Sequence, residues 1–79
     1  MNLFYLDYDT RKKTYFIAPM VQPKNQKWLV EFKTRSLADN FLKQLMLGKV
    51  DTPDKDSMNY VKLREEEDGL IVVYKPRSQ

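Results

Sequence analysis

The sequence contains neither cysteine nor histidine in its 79 residues. Without cysteine there are no disulfides, no thiolate nucleophiles and no cysteine-ligated metals. Histidine is the commonest side-chain metal ligand and the commonest general base near neutral pH. The two absences together exclude typical zinc sites, Cys–His pairs and Ser–His–Asp triads. A chain without cysteine is also compatible with a cytoplasmic location, which we predict.

Glycine and long apolar runs are equally scarce. Gly48 and Gly69 are the only glycines, so the chain has no glycine-rich phosphate loop. The longest apolar run is Leu70 to Tyr74, far too short to cross a membrane. Basic residues follow the first apolar segment instead of preceding it, which is not the pattern of a signal peptide. We therefore predict a soluble protein that does not engage a membrane.

The short chain also restricts the function. We expect residues 1–79 to form a single compact domain that buries only about 60% of the surface exposed by the unfolded chain. Asp51, Asp54 and Asp56 lack the spacing and the glycine of a calcium loop. Paired carboxylates can catalyse glycoside hydrolysis, but a domain of this size leaves little room for a substrate pocket. The prediction is a non-enzymatic binding protein without metals or cofactors.

Five short segments have the alternation or the apolar enrichment of β-strands. Phe4, Leu6 and Tyr8 alternate in the first segment, and Trp28, Val30 and Phe32 alternate in the third. Turn residues separate the first pair and the last pair of segments, which predicts two hairpins. The predicted strands cover residues 3–8, 14–18, 27–33, 58–65 and 70–75.

One amphipathic helix is predicted between the third and fourth strands. Its apolar stripe includes Phe41 and Leu45, Ser36 is the expected N-cap, and Gly48 stands where a C-terminal glycine belongs. The order β-β-β-α-β-β predicts an α+β fold, with an antiparallel sheet of about five strands and the helix packed on one face. One helix cannot cover five strands, so part of the sheet should remain available to a partner.

The positive charge is concentrated in the first part of the chain. Residues 1–50 contain nine basic and four acidic residues, whereas residues 51–79 contain five basic and seven acidic residues. A basic surface favours an acidic partner such as nucleic acid. The alternative is a solvated surface with scattered lysines. The candidate phosphate contacts are Arg11, Lys12, Lys13, Lys24, Lys27, Lys33 and Arg35.

Ten of the residues are aromatic, which is many for this length. Tyrosines on an open sheet can stack on unpaired bases or form the centre of a protein interface. The alternative is that they pack in the core or as cross-strand pairs. The candidate partner-binding residues are Tyr5, Tyr8, Tyr15, Tyr60 and Tyr74.

Residues 32–42, with the sequence FKTRSLADNFL, resemble the strand-to-helix junction in the AP2-like N-terminal domain of tyrosine integrases. That domain is a three-stranded sheet followed by a helix, and its sheet binds DNA in the major groove. The resemblance is local, and the two C-terminal strands depart from the usual organisation of the family. It implies DNA contacts by Lys13, Lys27, Lys33 and Arg35.

Three functional hypotheses follow. The first is nucleic-acid binding through a basic sheet edge, with affinity that falls steeply as salt increases. The second is a protein-binding inhibitor or adaptor, such as a phage or mobile-element protein that blocks a host or defence protein in the manner of an anti-CRISPR. The third is a homo-oligomer formed through an exposed sheet face or edge, which is compatible with either of the others.

Overall fold

The computed structural model describes residues 3–24 and 26–77, which form an α+β fold with one helix and a five-stranded sheet. The predicted element order β-β-β-α-β-β is confirmed. The elements are β1 (Phe4–Asp9), β2 (Thr14–Pro19), β3 (Lys27–Phe32), α1 (Arg35–Met46), β4 (Tyr60–Glu66) and β5 (Ile71–Pro76).

The sheet is mixed, with the strand order β1-β2-β3-β5-β4. Its neighbours are antiparallel except β3 and β5, which pair in parallel from Lys27 beside Ile71 to Val30 beside Tyr74. The prediction of a purely antiparallel sheet is therefore wrong. Helix α1 and the connection 47–59 return the chain to the end of the sheet where β3 stops. Strand β4 then runs in the direction opposite to β3. Strand β5 follows it, lies between β3 and β4, and is parallel to β3.

The connections lie at two opposite ends of the sheet. The turn between β1 and β2 lies at the end where β3 stops, because Tyr15 of β2 is paired with Phe32. The β2–β3 connection and the β4–β5 turn lie at the other end, where Lys27 is paired with Ile71. Six-residue strands rise about 3.3 Å per residue, so the two ends are roughly 20 Å apart. We call them the first-hairpin end and the opposite end.

The hydrophobic core joins the helix to the middle of the sheet. Phe41 of α1 lies 5.2 Å from Phe32 and 5.9 Å from Tyr60, measured between ring centroids. We call the sheet face that contributes to this core the core face, and the other the open face, on which alternation places Phe16, Leu29, Glu31 and Val73. The buried cluster consists of Ile17, Val30, Phe32, Ala38, Phe41, Leu45, Tyr60 and Tyr74.

The N-terminus of the helix differs from the prediction, whereas its C-terminus agrees with it. The side chain of Thr34, and not that of Ser36, accepts the backbone N–H of Leu37 at 3.3 Å, so the helix begins two residues earlier than predicted. At the other end Gly48 has a φ of +71°. The N–H groups of Gly48 and Lys49 donate to carbonyls of the last turn, which completes a Schellman motif.

Strand β5 is an inner strand, which suits its continuous apolar run. Val73 on the open face and Tyr74 on the core face are both buried. The connection 47–59 contributes to the core, because Val50 packs against the buried cluster and Pro53 is buried. The Tyr60 hydroxyl donates a hydrogen bond to the Asp51 carbonyl and holds this connection against the sheet.

Candidate nucleic-acid interface

The turn between β1 and β2 presents three consecutive basic residues. The Asp9 side chain accepts the backbone N–H groups of Arg11 at 2.9 Å and Lys12 at 3.1 Å, and the Asp9 carbonyl accepts the Lys13 N–H at 2.7 Å. The hydrogen bond from the Lys12 N–H, helped by that from Arg11, lowers the pKa of the Asp9 carboxyl. An ionised Asp9 therefore holds the turn while the basic side chains remain exposed.

Three more cations lie at the same end of the sheet. Continuing the β2–β3 register beyond Phe32 places Lys33 beside the turn, and Arg35 opens α1 two residues later. Arg77 directly follows β5, whose parallel pairing with β3 brings its C-terminus to the same end of the sheet as Lys33. We call these six residues the basic end. Its members are Arg11, Lys12, Lys13, Lys33, Arg35 and Arg77.

The basic end carries a strong net positive charge. The segments that carry these six cations also contain Asp9 and Asp39, which gives the segments a formal net charge of +4 against +3 for the whole chain. Glu66 of β4 brings one further carboxylate to Lys12. The β4–β5 turn at the opposite end contains Glu67 and Asp68. Lys24 and Lys27 also lie at that end, which therefore carries both signs. The concentration of cations at the basic end attracts an approaching polyanion.

The six cations are not equally available to phosphate. Lys12 forms a salt bridge with Glu66, and the Arg77 guanidinium donates to backbone carbonyls of the connection and of β4. Arg35 lies 3.6 Å from the Asp39 carboxylate in an exposed pair, which stabilises little. Within the described residues, the cations of the basic end without a salt bridge or a side-chain hydrogen bond are Arg11, Lys13 and Lys33.

Two of the predicted phosphate contacts are separated from the other five. Lys24 and Lys27 belong to the β2–β3 connection and the start of β3, at the opposite end of the sheet. Successive turns of an antiparallel meander alternate between the two ends, so the first turn and the second connection do not point the same way. The sequence set therefore divides into a group of five and a separate pair. Arg77, which is not among the predicted phosphate contacts, joins the group of five.

The predicted tyrosines fall into two groups. Tyr5 and Tyr8 are about 40% exposed on opposite faces of β1, and Tyr8 lies 4.8 Å from the half-buried ring of Tyr15. Tyr60 and Tyr74 are 3% and 7% exposed and pack against each other in the core. These two rings are therefore not part of an exposed partner surface.

The pKa values of both buried phenols are raised, which favours the neutral form. Burial, assisted by the Asp51 carboxylate, raises the pKa of Tyr60 to about 12. Burial also raises the pKa of Tyr74, with Asp54 and Glu65 adding to it and Lys62 opposing it. A neutral phenol in the core is what a structural tyrosine requires.

A network of ion pairs crosses the open face. Arg64 on β4 binds Glu31 on β3 through both terminal nitrogens, one of them at 3.2 Å from the Glu31 carboxylate. Because β5 separates these strands, the pair must pass over β5, where Val73 is wholly buried. Arg64 also donates to Glu66 at 2.8 Å, and Glu66 in turn pairs with Lys12. Glu66 is the last residue of β4, so this pair links the β1–β2 turn diagonally across the open face to the far end of β4. Lys12 is thus tied to the sheet instead of extending freely into solvent.

Two further kinds of site are absent from the part of the chain that the structure describes. Residues 3–24 and 26–77 contain no group of three or more carboxylates that could hold a metal ion. Helix α1, the helix within these ranges, is too short to cross a bilayer. Neither result identifies a partner, so the arrangement of cations is the strongest functional signal.

Comparisons with protein-family models, with curated proteins and with solved structures give no match for this chain. The local resemblance of residues 32–42 to the integrase domain therefore stays a prediction. Of the residues it implicates, Lys13, Lys33 and Arg35 lie together at the first-hairpin end, whereas Lys27 does not.

Proposed function

We propose that this protein is a non-enzymatic nucleic-acid-binding domain that contacts phosphates through its basic end. The observation that carries the proposal is that five of the seven predicted cations, joined by Arg77, lie at one end of the sheet. Lys and Arg side chains on one surface are the usual contacts to the nucleic-acid backbone. Tyr8 is partly exposed and lies two residues before the β1–β2 turn, where its ring offers an aromatic face to an unpaired base. A cytoplasmic location stays part of the proposal.

The coverage of the sheet supports a binding role of this kind. We infer that α1 covers the core face of β1, β2 and β3, since helix residues share a buried cluster with Ile17 and Val30. The basic end lies beyond this covered region and remains open to solvent, with Arg11, Lys13 and Lys33 all exposed. Contacts to the phosphate backbone of a nucleic acid need no deep pocket, which suits a domain of this size.

The number of available cations sets the expected salt dependence. If Arg11, Lys13 and Lys33 each neutralise one phosphate, the logarithm of the affinity for duplex DNA falls against the logarithm of salt with a slope of about −2.7. That slope corresponds to a loss of about 40-fold between about 50 mM and about 200 mM salt. Fluorescence anisotropy with labelled single- and double-stranded DNA and RNA measures both the affinity and the slope.

A matched pair of triple variants tests the location of the site. Arg11→Glu/Lys13→Glu/Lys33→Glu should abolish binding. The control reverses three lysines at the opposite end of the sheet, Lys24→Glu/Lys27→Glu/Lys55→Glu, and so produces the same change in net charge. The control should keep a salt slope close to that of the wild type. Equal losses in both variants would show that total charge and not the basic end drives binding, and no binding at low salt would refute the proposal.

A second candidate function is protein binding, as an inhibitor or adaptor, and one observation favours it. Leu3, Met20 and Val21 at the opposite end are 49%, 61% and 89% exposed. They line a groove of about 400 Å³ together with Phe4 and Trp28. An exposed apolar groove of this kind is typical of a protein interface.

This second candidate makes a separate prediction. A protein partner that binds at the groove should be lost when Met20 and Val21 are both changed to Glu, as measured by calorimetry with the purified partner. The Arg11→Glu/Lys13→Glu/Lys33→Glu variant should still bind it. If the basic-end variant lost the protein partner and the Met20/Val21 variant kept it, the partner would bind at the basic end, and the groove would be excluded as its binding site.

A further inference from the structure

The backbone of edge strand β1 has a definite polarity, which the flanking hydrogen bonds establish. The Met20 N–H donates to the Leu3 carbonyl at 3.0 Å, and the Lys13 N–H donates to the Asp9 carbonyl at 2.7 Å. Leu3 and Asp9 therefore direct their backbone groups towards β2. Backbone groups alternate along an antiparallel strand, so every second residue between them also faces β2. The backbone groups of Phe4, Leu6 and Tyr8 point away from the sheet.

One of these three outward N–H groups is already occupied. The Asp7 carboxylate accepts the Tyr8 N–H at 2.8 Å. This bond agrees with the alternation, because an amide engaged by β2 would not be free to meet the Asp7 side chain. Unpaired N–H groups on a long edge strand are a template for pairing with another chain. Asp7 therefore blocks the template at Tyr8 and leaves it open at Phe4 and Leu6.

The other edge of the sheet is blocked more completely. The register of β4 shifts between Lys62 and Arg64, and such a bulge disrupts the regular row of backbone groups. At the start of β4 the Arg77 guanidinium donates to the carbonyls of Met58 at 2.9 Å and Tyr60 at 3.4 Å. Strand β1 has no shift in its register. Pairing with another chain is therefore favoured at β1 alone.

We propose that β1 is the edge through which two copies of this chain associate, and that Asp7 weakens the association by occupying the Tyr8 N–H. The two strands run antiparallel with Leu6 beside Leu6 of the second copy at the twofold axis. In this register Phe4 lies beside Tyr8 of the second copy, and Tyr5 lies beside Asp7 of the second copy. Aromatic and aliphatic side chains thus meet on the core face, and no two like charges face each other directly.

The partner is a second copy because the sequence of β1 is complementary to itself in this register. An isologous contact of this kind uses the same surface on both copies and closes at two. With β4 blocked, the joined sheet has ten strands and no further edge that pairs readily. Each copy contributes outward N–H groups at Phe4 and Leu6, and loss of the Asp7 carboxylate would restore a third at Tyr8.

Two substitutions of Asp7 distinguish the effect of its hydrogen bond to the Tyr8 N–H from the effect of its charge. Asp7→Ala removes the acceptor, and Asp7→Asn keeps an oxygen acceptor while making the same change in net charge. Sedimentation equilibrium should show that Asp7→Ala tightens dimerisation by about tenfold to a hundredfold, because two N–H groups per dimer become available. Asp7→Asn should behave like the wild type. Equal dimerisation of the two variants, or no change in Asp7→Ala, would overturn the proposal.

A second site tests whether the association uses β1. Leu6→Pro in the Asp7→Ala background removes an outward N–H at the proposed axis and should return the protein to the wild-type association. Hydrogen exchange of the Leu6 amide in Asp7→Ala provides a readout that does not depend on the proline variant. Protection of that amide should rise with protein concentration. Dimerisation without that protection, or assembly beyond two copies, would refute pairing through β1.

Discussion

Truncation of Phe41 to alanine is expected to remove a large part of the stability of the domain. The Phe41 side chain is 6% exposed and packs against the rings of Phe32 and Tyr60. Phenylalanine-to-alanine changes in cores cost about 3–5 kcal/mol. Loss of two aromatic pairs, each contributing about 0.5–1.5 kcal/mol beyond its buried area, places the expected cost in the upper half of that range. A chain of 79 residues typically has a free energy of unfolding of about 4–12 kcal/mol.

Urea denaturation followed by circular dichroism measures this loss directly. The matched control is Leu37→Ala on the same helix, where the side chain is 39% exposed and the change to alanine should alter the free energy of unfolding by less than about 1 kcal/mol. A variant that is unfolded without urea would agree with a loss larger than the total stability. A loss below about 1 kcal/mol in Phe41→Ala would refute the assignment of this ring to the core.

Two further predictions concern the core phenol and the second hairpin. The folded pKa of Tyr60 is about 12 against about 10 in the unfolded chain, so its stabilising effect is complete below about pH 10 and declines as the pH rises towards 12. Urea titrations at about pH 9 and about pH 11.5 should show a smaller decline in Tyr60→Phe than in the wild type; equal declines would contradict the linkage. Glu67 has a φ of +50°, so Glu67→Asn should raise the free energy of unfolding by about 0.5–1 kcal/mol, because asparagine tolerates this conformation. Glu67→Ala is the control, and the same gain there would show that backbone conformation is not the cause.

Most elements of the fold are predictable from periodicity and turn chemistry. The predicted strands at residues 14–18 and 27–33 correspond to Thr14–Pro19 and Lys27–Phe32, because alternation and β-branched or aromatic residues are local signals. Gly48 marks the helix C-terminus for an equally local reason, since it adopts a positive φ. The N-cap was misplaced because Thr34 and Ser36 carry the same kind of hydroxyl acceptor. Only the geometry of the backbone distinguishes them.

The neighbours within the sheet were not predictable in the same way. A strand pattern reports which face a side chain occupies, but it does not report which strand lies alongside. The insertion of β5 between β3 and β4 therefore could not be predicted from the strand patterns, and neither could the position of Arg77 at the same end of the sheet as Lys33. The division of the candidate cations could have been anticipated. Consecutive turns of a meander lie at opposite ends, which separates Lys24 from Arg11.

The interior position of the last strand has a consequence for the way the chain folds. Lys27 and Ile71, which lie side by side in the sheet, are 44 positions apart in the sequence. Contacts of this separation require closure of a long loop and slow the search for the native state. During synthesis, the first three strands and the helix can associate early, but β4 has no neighbour until β5 has left the ribosome. We expect the centre of the sheet to close last, in a step that unites both parts of the chain.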